Sequence, residues 1–275
     1  MNGIAFLKMH GLGNDVVIVD ARAREVALTP DAIRRIADRR LGVGCDQLIR
    51  LEPSAEADVF MRIWNPDGSE AQACGNGTRC VASLVMGETG HDGARIETAA
   101  GLLACERGAD GRIAVDMGPA RCGWAEIPLS READTLALDL GPDAPAPAAC
   151  VNIGNPHAVL FVEDCDAIEL ATTGPKLERH PLFPERANVS FATVESRERI
   201  RLRVWERGAG ATLACGSAAC AAIVAAARRG LTGRKAVVAL PGGELELAWR
   251  EDGHVAMAGP IALSYRGTLA PELVA

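Results

Sequence analysis

Aromatic side chains make up only 4% of the 275 residues, with a single tyrosine. Ala, Val, Leu and Ile must therefore fill any core. No apolar run of roughly 18 residues occurs, which argues against a membrane-spanning helix. The opening residues, MNGIAFLKMHGLGND, lack a cationic segment followed by a long apolar stretch and a cleavage site, so a cytoplasmic location is expected. The net charge is −7 and no basic stripe with interleaved aromatics is present, so nucleic acid is not an expected partner. The nine cysteines form no CxxC or CxxxC pair and have no histidine at zinc-ligand spacing, so no metal is expected. An odd count in a chain this long also speaks against a secreted disulfide framework. Cys45, Cys105, Cys122, Cys150 and Cys165 read as small buried hydrophobes.

What the chain does have is an internal repeat, the feature to seek before any motif. RIWNPDGSEAQACGN (62–76) and RVWERGAGATLACGS (203–217) share Arg, Trp, Ala, Cys and Gly without a gap, at an offset of 141. The same offset relates GLGND (11–15) to NIGNP (152–156), Gly101 to Gly242, and MGP (117–119) to AGP (258–260). Two copies of one unit are expected, about 1–119 and 142–260, joined by a turn or loop at GPDAPAPAA (141–149). The tail 261–275 belongs to neither copy and is expected to pack on the first.

Short apolar runs with Gly, Pro and Asp punctuation (DVVIVD, DQLIRL, ADVFMRIW, ARIETA, RIAVDM) read as strands. TPDAIRRIADRR (29–40) reads as a helix with Thr29 or Asp31 as N-cap and Pro30 in its first turn. A second helix begins at each Cys-Gly motif, stopping near Gly87 in one copy and at Gly230 in the other. The later one, ACAAIVAAARRG, is apolar all round and should be buried. The expected fold is α/β of the α+β kind. It has two pseudo-symmetric domains, 1–119 plus 261–275 and 120–260, each with mixed or antiparallel strands around a central helix.

Cys74 and Cys215 therefore stand where an apolar helix starts after a strand and a Gly-rich loop. The unpaired N–H groups of a first turn favour an anion, and the same dipole is expected to lower a thiol pKa. Two such starts set about one carboxylate would place a thiol on either side of the neighbouring carbon. One would remove a proton and the other return one to the opposite face, with backbone donors stabilising the developing charge and no cofactor needed. A packed role for either cysteine, or a redox disulfide between them, stays open from the residues alone. Cys80 and Cys220 lie inside their helices and read as core. Asn14 and Asn155, Gln47 and Asn188, and Asn65 and Glu206 occupy equivalent positions of the repeat. Amides there suit an amino group and a carboxylate together, although each Asn alone also fits a turn. Arg207 adds a fork for a second carboxylate. His157 reads either as a strand residue or as a neighbour that tunes the site.

The strings KMHGLGND (8–15), GVGCDQL (42–48), NPDGSEAQACGNGTRC (65–80), NIGNPHAV (152–159) and WERGAGATLACGSAAC (205–220) span the chain in order, and the sequence resembles the diaminopimelate epimerases. That resemblance implies a pyridoxal-phosphate-independent enzyme without cofactor that interconverts LL- and meso-2,6-diaminopimelate for lysine and peptidoglycan synthesis. Cys215 would be the base toward the LL-isomer and Cys74 the acid, with roles exchanged in reverse. Gly75, Asn76, Gly216 and Ser217 match the positions whose backbone holds the reacting carboxylate. Asn14, Gln47, Asn65, Asn155, Asn188, Glu206 and Arg207 match substrate-binding positions, while His157 and Glu206 match positions that tune the site. A homodimer is implied, with Tyr265 at its contact. Ala211 and Ala218 depart from the family pattern, which usually has Glu and Gly there.

Overall fold

The structure is a computed structural model that describes residues 3–274. It is an α/β fold made largely of strand, with few helices, and it divides into two compact units. Unit 1 runs to Val115 and resumes at Gly259; unit 2 is Asp116–Ala258, so the boundary falls within the strand Ile113–Pro119.

In unit 1 the strand Ile4–Gly11 turns tightly into Asn14–Asp20 and pairs antiparallel with it. On its other side it takes the tail strand Ala262–Leu269, also antiparallel. A crossover through helix α1 (Pro30–Ala37) places Gln47–Glu52 parallel to Asn14–Asp20. Thr29 caps α1, its hydroxyl accepting from the Ala32 N–H, and Pro30 fills a position where a missing N–H costs nothing. The helix ends at Ala37 rather than running to Arg40. Asp38 leaves the helical region, and its carboxylate instead accepts from the N–H groups of Arg40 and Leu41. Val59–Trp64, Gly93–Thr98 and Gly101–Arg107 follow, with α2 (Gly75–Thr89) inserted after a short return strand, Glu70–Ala71. Strands lie against α2 on several sides. Gly87 sits inside α2; the stop is Gly90, at φ 73°, where a left-handed residue costs a glycine nothing.

Unit 2 builds the same plan. Ala148–Asn152 pairs with Pro156–Phe161, and α3 (Leu170–Glu178) crosses over to Asn188–Ser196. Arg199–Glu206, the short Gly210–Ala211, helix α4 (Gly216–Arg228), and Lys235–Leu240, Gly243–Trp249 and His254–Gly259 complete it. The linker is loop through residue 147, and Ala148 and Ala149 already belong to the first strand. Helix α4 is packed by strands from both halves of its unit, and every residue from Ala218 to Ala226 is buried. Its run of alanines suits backbone that closes in on all sides.

The cross-strand partners test the repeat directly. Val16 opposes Gln47 as His157 opposes Asn188, and Leu48 opposes Trp64 as Val189 opposes Trp205, each pair displaced by 141. Beyond the central helix the displacement becomes 142: Thr98 opposes Gly101 as Leu240 opposes Gly243, and Cys105 opposes Val115 as Leu247 opposes Met257. Gly243, not Gly242, is thus the counterpart of Gly101, and the MGP and AGP strings are one residue out of structural register. The slip follows from the helices, α2 having 15 residues and α4 having 13, with a longer link after α4.

Candidate active site

Each unit presents its cysteine as the N-cap of its central helix. Cys74 and Cys215 both have extended backbone, at φ −147° and −125°, and Gly75 and Gly216 are the first helical residues. The strand and short return before each helix differ in side chains but share one register, Trp64 opposing Glu70 and Trp205 opposing Ala211. The backbone device is therefore the same twice. The surroundings are not.

In unit 1 the half-buried Cys74 lies among amides. Its Sγ accepts from the Gly77 N–H at 3.3 Å and faces Asn14 Oδ1 at 3.7 Å and Gln47 Oε1 at 3.6 Å. Asn14 and Gln47 open two adjacent parallel strands, which is why residues so far apart in sequence meet here. Asn14 Nδ2 donates to Gln47 Oε1 and to Asp46 Oδ2, and Asn76 Nδ2 donates to Asn14 Oδ1 at 3.2 Å. Behind them Arg79, fully buried, donates to Asn76 Oδ1 at 2.6 Å. A guanidinium can only donate and a carboxylate only accept, so Arg79 and Asp46 set the direction of the whole amide chain. Burial and the negative Asp15 push the Asp46 carboxyl up. Burial would also raise Asp15, but hydrogen bonds from Arg39 and Lys8 hold it well below the ordinary range. Neither Arg79 nor Asp46 emerged from the sequence, since only the folded strands bring them to the amides. Asn65 is not part of this chain: its side chain donates to Ser69 Oγ at 3.1 Å within its own turn, which Asp67 and Gly68 complete.

In unit 2 Cys215 is buried, 6% exposed. Ser217 Oγ lies 3.5 Å from its Sγ. Burial pushes this thiol well above its usual value and the nearby Glu206 carboxylate adds to the rise; Ser217 and the Ala218 N–H oppose it without prevailing. The helix start alone would have lowered it, and burial with a neighbouring negative charge outweighs that dipole. Glu206 ends the strand Arg199–Glu206 and accepts from the Thr212 hydroxyl, a partner the sequence reading missed. The Ala211 side chain is exposed, and Thr212 next to it supplies the hydrogen bond to Glu206. Asn188, buried, donates to the Pro156 carbonyl and accepts from the Arg207 N–H at 2.9 Å. The Arg207 side chain donates to the Glu185 carbonyl at 2.9 Å and is otherwise exposed. His157 is wholly buried and Asn155 Oδ1 lies 2.8 Å from its Nε2. Burial, with the positive Arg207, drives its pKa down to about 3. It is a neutral imidazole, and its Nδ1 has no hydrogen-bond partner among the described residues. Tyr265 is 47% exposed on the tail strand, with its ring edge-on to Phe6 at 5.9 Å.

No helix among the described residues is long and apolar enough to cross a membrane. A profile of the family described as diaminopimelate epimerase matches residues 6–123 and 149–263. The chain is 57% identical to the diaminopimelate epimerase of Rhodospirillum centenum over 98% of its own length and 93% of that protein's. It is 56% identical to that of Acidiphilium cryptum, over 98% of both. Among solved structures it superposes on a probable proline racemase from Agrobacterium radiobacter with a TM-score of 0.69, at 18% identity, covering 98% of this chain and 93% of that one. That likeness is one of fold. The match along both halves and the high identity over nearly the full length place this chain in the diaminopimelate epimerase family.

Proposed function

We propose that this protein interconverts LL- and meso-2,6-diaminopimelate without pyridoxal phosphate or another cofactor, with Cys74 and Cys215 acting on opposite faces of one α-carbon. One observation carries the reading: at the same position of the repeat, both units make a cysteine the N-cap of a buried helix. In this mechanism the Cys215 thiolate takes the α-proton of the LL-isomer and the Cys74 thiol delivers a proton to the other face; the reverse reaction exchanges the roles. The N–H groups of Gly75, Asn76, Gly216 and Ser217, first in their helices, hold the reacting carboxylate and the charge that gathers on it. Asn14, Gln47, Asn65, Asn155 and Asn188 bind the amino and carboxylate groups, and Arg207 binds the far carboxylate. Glu206, against Cys215, disfavours the thiolate until substrate arrives, while His157 stays neutral and holds Asn155.

The domains in this reading are 1–119 with 261–275, and 120–260. The protein works in the cytoplasm, in lysine and peptidoglycan precursor synthesis, as a homodimer joined through the exposed Tyr265 strand. The family supports the substrate and the likeness to a proline racemase supports the chemistry of inversion. Incubating the reduced protein with LL-diaminopimelate, and separately with proline, in deuterated water tests this. Incorporation at the α-carbon of diaminopimelate alone is expected. Exchange with proline alone would assign a different substrate, which Arg207 argues against because proline has no second carboxylate. Exchange with neither would remove the enzymatic reading.

A further inference from the structure

The turn after the conserved-register tryptophan is held differently in the two units. In unit 1 it closes on itself: the Asn65 N–H bonds the Ser69 carbonyl at 2.8 Å, and Asp67 Oδ1 accepts from both the N–H and the hydroxyl of Ser69. Unit 2 has Gly208 and Gly210 where those Asp and Ser side chains would be, and carries Glu206 and Arg207 in place of Asn65 and Pro66. Its backbone closes in the same way, through the Ala209 N–H to the Glu206 carbonyl at 3.2 Å and the pairing of Glu206 with Gly210, but without the Asp–Ser side-chain brace of unit 1. The support comes from outside. Glu178 on α3, 3% exposed, accepts from the Trp205 indole N–H at 2.8 Å through Oε2 and from the Gly208 N–H at 3.2 Å through Oε1. The exposed Arg186 comes within 3.7 Å of the same carboxylate.

Helix α3 is shaped for this contact. A Cβ at Gly174 would overlap the Trp205 ring, so only glycine there lets the indole reach Glu178. The equivalent positions of α1 are Ile33 and Ala37, which join Trp64 in an ordinary apolar cluster. Where unit 1 has an apolar helix face, unit 2 thus has a buried carboxylate against the turn that carries Glu206 and Arg207. The two bonds to Glu178 grip the turn on both sides of Glu206 and Arg207, while Asn188 accepts from the Arg207 N–H.

We propose that Glu178 is a positioning residue that orients the turn so that Arg207 meets the far carboxylate of the substrate. This rests on the assignment of Arg207 made above. The test is a donor–acceptor mismatch followed by its repair. Glu178→Gln keeps size but leaves one acceptor oxygen for two N–H donors, so an amide NH2 confronts one of them. KM for LL-diaminopimelate should rise about tenfold with kcat within about twofold, and the Gly208 amide should exchange with deuterated water about tenfold faster. Glu178→Gln combined with Trp205→Phe removes one donor, lets the remaining oxygen serve Gly208, and should bring both quantities back to within about threefold of the parent. This double variant, freed of the donor–donor clash, also covers the case in which the single one fails to fold. Unchanged KM and exchange in Glu178→Gln, a fall in kcat at constant KM, or a double variant worse than the single would each overturn the proposal. If the parent protein turns over no diaminopimelate, the substrate reading fails separately, and amide exchange still decides whether Glu178 holds the turn.

Discussion

Cys74 and Cys215 occupy one position of a duplicated fold and meet opposite surroundings. Cys74 is half-buried, capped by the Gly77 N–H, and faced by two amide oxygens whose direction is set from behind by Arg79 and Asp46. Cys215 is buried, next to Ser217 and the Glu206 carboxylate, at the start of an alanine-rich helix. The lesson lies in what was kept and what was changed. The strand, return and helix start survive in register in both units because they follow from backbone pairing. The side chains around each thiol were free to diverge. A polar scaffold grew beneath one helix start, and a buried, electrostatically resisted thiol sits at the other.

The comparison breaks most severely if either thiol is removed. Cys74→Ala and Cys215→Ala should each lower the epimerisation rate by at least about a thousandfold, measured as conversion of LL-diaminopimelate. Near-parental turnover in either variant would show that one thiol suffices. A smaller effect distinguishes the two helix starts by size. A Cβ at Gly77 would stand 2.7 Å from Ile49 Cδ1 and 3.3 Å from Cys74 Sγ, whereas unit 2 already has a methyl at the equivalent Ala218. Gly77→Ala should therefore destabilise the protein by about 1–3 kcal/mol through overpacking. Ala218→Gly should cost no more than about 1 kcal/mol of helix propensity. Denaturant midpoints of the two variants check this, and equal losses would mean the starts are packed alike.

The third comparison is by pH. The folded His157 value of about 3 lies below the ordinary 6.5, so the unfolded chain takes up the proton first: stability is unaffected by this group above pH 6.5 and declines as pH falls toward 3. Between pH 7 and pH 5 this one group should remove about 2 kcal/mol of stability. His157→Gln should flatten that part of the stability profile, and an unchanged slope would show that the imidazole titrates normally in the folded protein.

Much of the plan can be read from sequence because it lies in local patterns. The offset between the Cys-Gly motifs anticipates the pairing of Val16 with Gln47 and His157 with Asn188, since strand register carries the repeat. The strand Ile4–Gly11 was less legible, with charged and polar residues among its apolar ones, and its pairing with the tail is set only in the fold. Gly87 and Gly90 look alike in sequence; the left-handed backbone at Gly90 is what makes it the stop. Asn65 matches a binding position through the resemblance, and its hydrogen bond to Ser69 within its own turn is visible only in the fold. Arg79, Asp46 and Glu178 escaped notice for a shared reason. Each acts by orienting another group, through contacts that only the assembled strands and helices create.

The central claim is that two thiols serve two faces, and early isotope distribution tests it most directly. LL-diaminopimelate would be turned over briefly in deuterated water and the label read separately in product and in recovered substrate. In the two-thiol account the second cysteine carries a solvent-derived deuteron, so meso product is labelled at the inverted carbon while recovered LL-isomer remains largely unlabelled. Product that keeps the original proton, or label that enters substrate as fast as product, would contradict it.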